Sequence, residues 1–215
     1  MRIGVLGSGE VGRSLGRGFA GRGDEVRLGT PRPDKDDVRE WVRETPRASA
    51  GSFADAAGWG ELVVLATLGR AAEDAIGLAG PDNLRGKVVI DATNPLADEP
   101  PVNGVLGYTT GGNDSLGERV QRLAPEARVV KAFNSVGNMH FVHPKFPGGL
   151  PTMFYCGNDE GARRVVAGII RDFGWEPYDC GGIEAARALE PLCILWCLPG
   201  FLRGDWNHAF KVLQG

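Results

Sequence analysis

The hydrophobic positions of the chain fall into short dense runs separated by stretches with helical periodicity. Ile3, Val5 and Leu6 form the first run and stop at glycines, and 61–66 (ELVVLA), 87–90 (KVVI) and 128–132 (RVVKA) are near-continuous apolar runs. Such runs mark strands buried on both faces of a parallel sheet. Shorter runs at 25–28, 152–156 and 175–178 predict three further strands. Between them, Val11, Leu15, Phe19 and Ala20 recur at helical spacing. So do Val38 with Trp41 or Val42 in 36–44, and Val165, Val166, Ile169 and Ile170 in 160–173. Strands alternating with amphipathic helices predict an α/β domain over residues 1–180, Rossmann-type and doubly wound around a mostly parallel sheet. From Ile183 the pattern turns helical and apolar, which predicts a small C-terminal helical part, 181–215, bent near Pro191. Its Leu189, Leu192, Ile194, Leu195, Trp196 and Leu198 are more apolar than a lone terminal helix needs, so a homodimer contact is expected there.

The first run leads into Gly7, Gly9 and Gly12, spaced G-x-G-x-x-G between a strand and a helix. In that context the glycines have separate tasks. Gly7 permits a tight turn, Gly9 lets backbone approach a pyrophosphate, and Gly12 lets the helix pack closely on its strand. The helix N-terminus then offers free N–H groups and partial positive charge to phosphates. A dinucleotide site is the expectation.

The end of the second strand identifies which dinucleotide. An acidic residue there would accept from a ribose 2′-OH. This chain has Thr30 and Arg32 instead, with Lys35 close behind, a set suited to a 2′-phosphate. NADP is therefore expected over NAD, although Asp34, Asp36 and Asp37 are near enough to pair with Arg32. Ligands of open α/β sheets bind beyond the carboxyl ends of the strands, which puts Thr67, Asn94 and Asn134 around a nicotinamide. Residues 137–149 read as a long loop carrying Met139, His140, Phe141, His143 and Phe146, a wall or lid for a second substrate. His140 and His143 are the candidates for a general acid. Cys193 and Cys197 share a helix face without further ligands at suitable spacing, so no metal site is expected.

Composition narrows the partners. The net charge is −3 without a basic run, which excludes the electrostatic footprint of a nucleic-acid binder. Met1 stands just before the first strand and the longest apolar stretch is 192–198, so neither a signal peptide nor a membrane span is expected. Four cysteines in 215 residues suit reduced thiols in a cytoplasm.

Several blocks resemble a known family: IGVLGSGEVGRSLGRGFAGRG at the start, T-x-R-x-x-K after the second strand, DATNPL at 91–96, VVKAFNSVG at 129–137, FYCGNDEGARRVV at 154–166 and GGIEAARALEPL at 181–192. They are similar to the NADPH-dependent coenzyme F420 reductases and their relatives, the cytoplasmic domain of the STEAP metalloreductases among them. The resemblance implies a homodimeric Rossmann protein that passes hydride between NADP(H) and coenzyme F420 or a flavin-like ring. By that resemblance Ser8, Glu10 and Val11 line the pyrophosphate, and Thr30, Arg32 and Lys35 hold the 2′-phosphate. Ala66, Thr67, Leu68 and Asn94 flank ribose and nicotinamide, and Asn134 and Val136 lie where the rings meet. Met139 and His140 follow on the substrate side. Phe133 and Asn134 stand where the archaeal deazaflavin enzymes have His-Thr. Two other readings compete with a ring acceptor: reduction of a small carbonyl or imine, and a non-catalytic NADP(H) sensor.

Overall fold

The structure, a computed structural model, describes residues 1–214. Its strands are β1 (Arg2–Leu6), β2 (Glu25–Gly29), β3 (Ala48–Gly51), β4 (Leu62–Leu65), β5 (Val88–Asp91), β6 (Arg128–Lys131), β7 (Thr152–Gly157) and β8 (Glu176–Asp179). They form one sheet in the order β3-β2-β1-β4-β5-β6-β7-β8. All neighbours run parallel except β6 and β7, which pair antiparallel through Val130–Gly157 and Lys131–Cys156. The first six strands thus have the doubly wound order, with its reversal point between β1 and β4.

The helices are α1 (Glu10–Gly21), α2 (Asp36–Glu44), α3 (Phe53–Trp59), α4 (Ala72–Ala79), α5 (Pro81–Leu84), α6 (Leu116–Leu123), α7 (Glu160–Asp172), α8 (Ala186–Leu189) and α9 (Pro191–Arg203). Alternating strand residues feed two cores. Ile3, Val5, Val26, Leu28, Val64, Ile90 and Val130 pack with Leu15, Phe19, Trp41 and Val166 of α1, α2 and α7. Val63, Leu65, Val89 and Val129 pack with Ala56, Ile76, Val120 and Leu189 of α3, α4, α6 and α8. Both faces are covered, so every position in these strands can be apolar. Burial of each larger side chain contributes about 1.5–3 kcal/mol.

Three expectations change. Val165 is exposed, because it faces away from the sheet one position before buried Val166. Leu189 and Trp196 are buried within the chain, so of the expected face Leu195 is the exposed large side chain, joined in the C-terminal part by Phe201, Leu202 and Leu213. The segment Ile183–Arg203 forms one 21-residue helical run, long and apolar enough by length and composition alone to cross a membrane, where 192–198 alone was too short. A third of it is buried against the rest of the protein.

Candidate functional site: a cleft at the strand ends

The turn after β1 is fixed by backbone contacts. Gly7 has φ 128°, and a Cβ there would collide with the Ala66 carbonyl. A Cβ at Gly12 would meet the Gly7 carbonyl, so α1 sits directly against the turn. A Cβ at Gly9 meets nothing within 4 Å: this glycine faces open space. Helices α3, α6 and α7 begin with side-chain caps from Ser52, Ser115 and Asp159, whereas α1 begins at Gly9 with none. Its first-turn N–H groups therefore have no intrahelical or side-chain partner. They open on a cleft of ≈ 680 Å³. Gly7, Ser8, Gly9, Glu10, Val11, Thr30, Ala66, Thr67 and Leu68 all line it. Gly12 lies buried beneath.

At the end of β2, Thr30 is buried, and its Oγ1 accepts from the Ser8 hydroxyl at 3.1 Å and the Arg32 amide at 3.4 Å. No carboxylate stands in the acidic position. Arg32 is exposed, and its guanidinium has no ion-pair partner among the described residues, so the three nearby aspartates do not occupy it. Lys35 is different: its Nζ lies 3.0 Å from Asp37 Oδ2, the same oxygen that accepts from Arg13 Nη2 at 2.7 Å. These two cations, Arg13 foremost, hold the Asp37 carboxyl down to about 2. Arg13 was missed in the sequence. Its signal lay in the helical register, one turn beyond Gly9. A fixed hydroxyl, a free guanidinium and no acid fit a phosphate rather than a ribose diol.

Beyond Val11, Thr67 and Leu68 the cleft joins a narrower cavity of ≈ 290 Å³ walled by Ala92, Thr93 and Asn94. Thr67 Oγ1 is buried there without a partner, a polar atom that a ligand can satisfy. Asn94 Nδ2 donates to the Asn134 carbonyl at 2.8 Å, and Asn134 Nδ2 donates to Asn94 Oδ1 at 3.1 Å and to the Leu189 carbonyl at 2.9 Å. Asn134 is therefore buried behind Asn94 and lines neither cavity.

The loop at 137–149 also departs from expectation. Val136 packs on the core, Met139 is exposed, His140 Nε2 lies 3.3 Å from the Trp206 carbonyl, and His143 is exposed with φ 49°. None of the four lines either cavity. The reason is packing. Asn138 Nδ2 donates to Ser14 of α1, the Trp196 ring closes on Gly137, and His140 rests against Phe146. Asn138 and Val142 fasten this loop to α1, and Gly137 and His140 fasten it to the C-terminal segment.

One cluster was illegible in the sequence. Lys131, fully buried, places Nζ 2.8 Å from Asp91 Oδ2, 2.8 Å from Glu190 Oε1 and 2.9 Å from the Thr93 carbonyl. Burial alone would lower its pKa, but the two carboxylates outweigh that and raise it. A lysine inside the apolar run RVVKA, level with an aspartate ending the next strand, was the available signal. Nearby, the neighbouring Cys197 thiol and burial raise the Cys193 pKa.

Residues 2–95 match the family described as NADP oxidoreductase coenzyme F420-dependent. A crystal structure assigned to an F420-dependent NADP reductase from Arthrobacter sp. FB24 is 36% identical, covers 100% of both chains and superposes with TM-score 0.93. The F420-dependent NADP reductase of Methanothermobacter thermautotrophicus is 29% identical, over 89% of this chain and 86% of its own. Rat metalloreductase STEAP3 is 28% identical over 94% of this chain, which spans only 39% of the rat protein. The match to the F420-dependent NADP reductase of Methanocaldococcus jannaschii, at 32% identity, spans 49% of that protein. Imine reductases share the fold at 15% identity and TM-score 0.67. With the end-to-end match at 36% identity and the family pattern over residues 2–95, the chain belongs to the F420-dependent NADP reductase family of oxidoreductases.

Proposed function

We propose that the protein transfers hydride between NADP(H) and a deazaflavin of the coenzyme F420 type, or a flavin ring. The observation that carries the cofactor half is the β2 end: a buried Thr30 hydroxyl tied to Ser8, an unpaired Arg32, and no carboxylate. In this reading the uncapped N–H groups of α1 hold the pyrophosphate, and Thr30, Arg32 and Lys35 hold the 2′-phosphate. Lys35 leaves or shares Asp37 to do so. Thr67 and Asn94 orient the nicotinamide in the narrower cavity, with Asn134 supporting Asn94 from behind. When bound, NADP(H) supplies the transferable hydride on its nicotinamide ring. The protein's share is then alignment and exclusion of water, which requires no acid–base pair and leaves His140 and His143 free for packing. The acceptor half is supported by the family and by the end-to-end relatedness to a protein of that assignment.

The same reading takes the active form as a homodimer that covers Leu195, Phe201 and Leu202, with its four free thiols kept reduced in a cytoplasm. The test is NADPH oxidation with coenzyme F420 and with FMN supplied separately. Bleaching of the deazaflavin, with NADPH strongly preferred over NADH, is expected. Tight NADH binding with weak NADPH binding would overturn the cofactor half; NADPH binding without turnover on either ring would overturn the acceptor half.

A further inference from the structure

We propose that Glu190, acting through Lys131 and beside Asn134, is a positioning residue for the nicotinamide end of the cleft, although it touches no ligand. The inference rests on the nucleotide reading above. Glu190 is 1% exposed, yet its groups fasten several separate segments. Its Oε1 meets Lys131 Nζ at 2.8 Å and accepts the Gly117 amide at 2.9 Å, while Oε2 accepts the Leu116 amide at 3.1 Å. Its own carbonyl takes the Tyr108 hydroxyl, and the carbonyl before it, on Leu189, takes Asn134 Nδ2.

The direction of these bonds distinguishes positioning from mere cross-linking. Two of the three acceptors on Lys131, Asp91 and the Thr93 carbonyl, belong to the segment that walls the smaller cavity. Asp91 in turn accepts the Thr93 amide at 2.9 Å and its hydroxyl at 2.6 Å. Asn94, next along that wall, is bonded reciprocally to Asn134. A shift at the start of α9 therefore reaches Thr93 and Asn94 by two routes, one through the ammonium and one through the paired amides. None of these hydrogen bonds or ion pairs involves Gly7–Val11, Thr30 or Arg32.

The two ends of the cleft can be probed separately. 2′,5′-ADP carries the phosphates and ribose that the Gly7–Thr30 end would hold and has no nicotinamide; NADPH has both. Titration calorimetry on the 215-residue protein compares the two ligands for the parent, Glu190→Gln and Asn134→Ala. The second variant leaves every buried charge paired, so it serves if the first does not fold. The expected result is 2′,5′-ADP affinity within about twofold of the parent, with NADPH affinity weakened about tenfold. Turnover should fall about 100-fold, as misplacement from outside the reacting centre does. Parallel loss of both ligands, or no change in either, overturns the proposal. Failure of the parent to bind either ligand overturns the nucleotide reading itself, and this inference with it.

Discussion

At the Gly7–Val11 end of the cleft the wall is bare backbone: a glycine turn, an uncapped helix, and open space at Gly9. At the Thr93–Asn94 end the wall is held from behind by side chains, a buried ion triad and two reciprocally bonded amides. The first end offers donors and leaves them unspent. The second spends nearly all of its polar groups on itself: Thr67 Oγ1 and Asn134 Oδ1 are buried without a partner, and Asp91 Oδ2 has only its ion pair with Lys131. An end that binds phosphates needs unsatisfied N–H groups, while an end that orients a ring for hydride transfer needs rigidity.

Substitutions at the two ends should therefore separate stability from binding. The largest effect is expected for Lys131→Met, which strands the Asp91 and Glu190 carboxylates at full burial. Breaking a buried ion pair from one side costs about 3–5 kcal/mol, read as a lowered midpoint in urea unfolding. The counterpart is Gly9→Ala, whose Cβ meets no atom within 4 Å and whose φ of −78° suits any residue. Its stability should change by less than about 1 kcal/mol, the scale of an N-cap change, while NADPH binding is lost to crowding of the pyrophosphate path. A Lys131→Met protein as stable as the parent would remove the contrast.

The same division explains what could be read in the chain. The glycine turn, Thr30 and Arg32 are local: spacing along one strand–turn–helix unit carries them. The triad joins β5, β6 and the start of α9, and no spacing rule links Asp91, Lys131 and Glu190 before the sheet order is known. Asn134 was read as a site residue because it ends a strand, but only the fold shows that Leu189 and Asn94 take its amide. Several elements escaped for a related reason. β3 is ASAG, and α3 and α4 bury chiefly alanines, so their apolar faces contribute little to any periodicity. The histidine loop misled in the opposite way, since its Phe141 packs on Phe133 and its His140 on Phe146 rather than forming a substrate wall.

A middle-sized effect tests the phosphate end. Arg32→Ala removes the one cation of this group that lacks an ion-pair partner among the described residues. A lost hydrogen bond to a charged group is worth about 1.5–3 kcal/mol, so NADPH affinity should fall roughly tenfold to a hundredfold. NADH affinity should not move, and unfolding should be unchanged, because the side chain is exposed. Parallel losses for both nucleotides would mean that Arg32 acts on something other than the 2′-phosphate.

The smallest effect, in acid, sets the two ends against each other by pH. Asp37 falls from 3.8 to about 2 because Arg13 and then Lys35 donate to its carboxylate. A depressed carboxyl contributes stability that is fully present above the unfolded value and is lost as pH falls through the folded one. The Asp37 contribution should therefore fade between 3.8 and about 2, and Asp37→Asn should flatten the fall in Tm over that window. The change should be small, since Asp37 and Lys35 are open enough to solvent to be screened by salt, although Arg13 is largely covered. Lys131 has the opposite sign: its raised pKa makes the triad's contribution complete below 10.5 and lost only as pH rises through the higher folded value. Acid thus loosens the Arg13–Asp37–Lys35 contacts while leaving the lysine charged. Identical acid profiles for the parent and Asp37→Asn would show that the carboxylate is not shared by Arg13 and Lys35 in solution, and that both cations are already free for a phosphate.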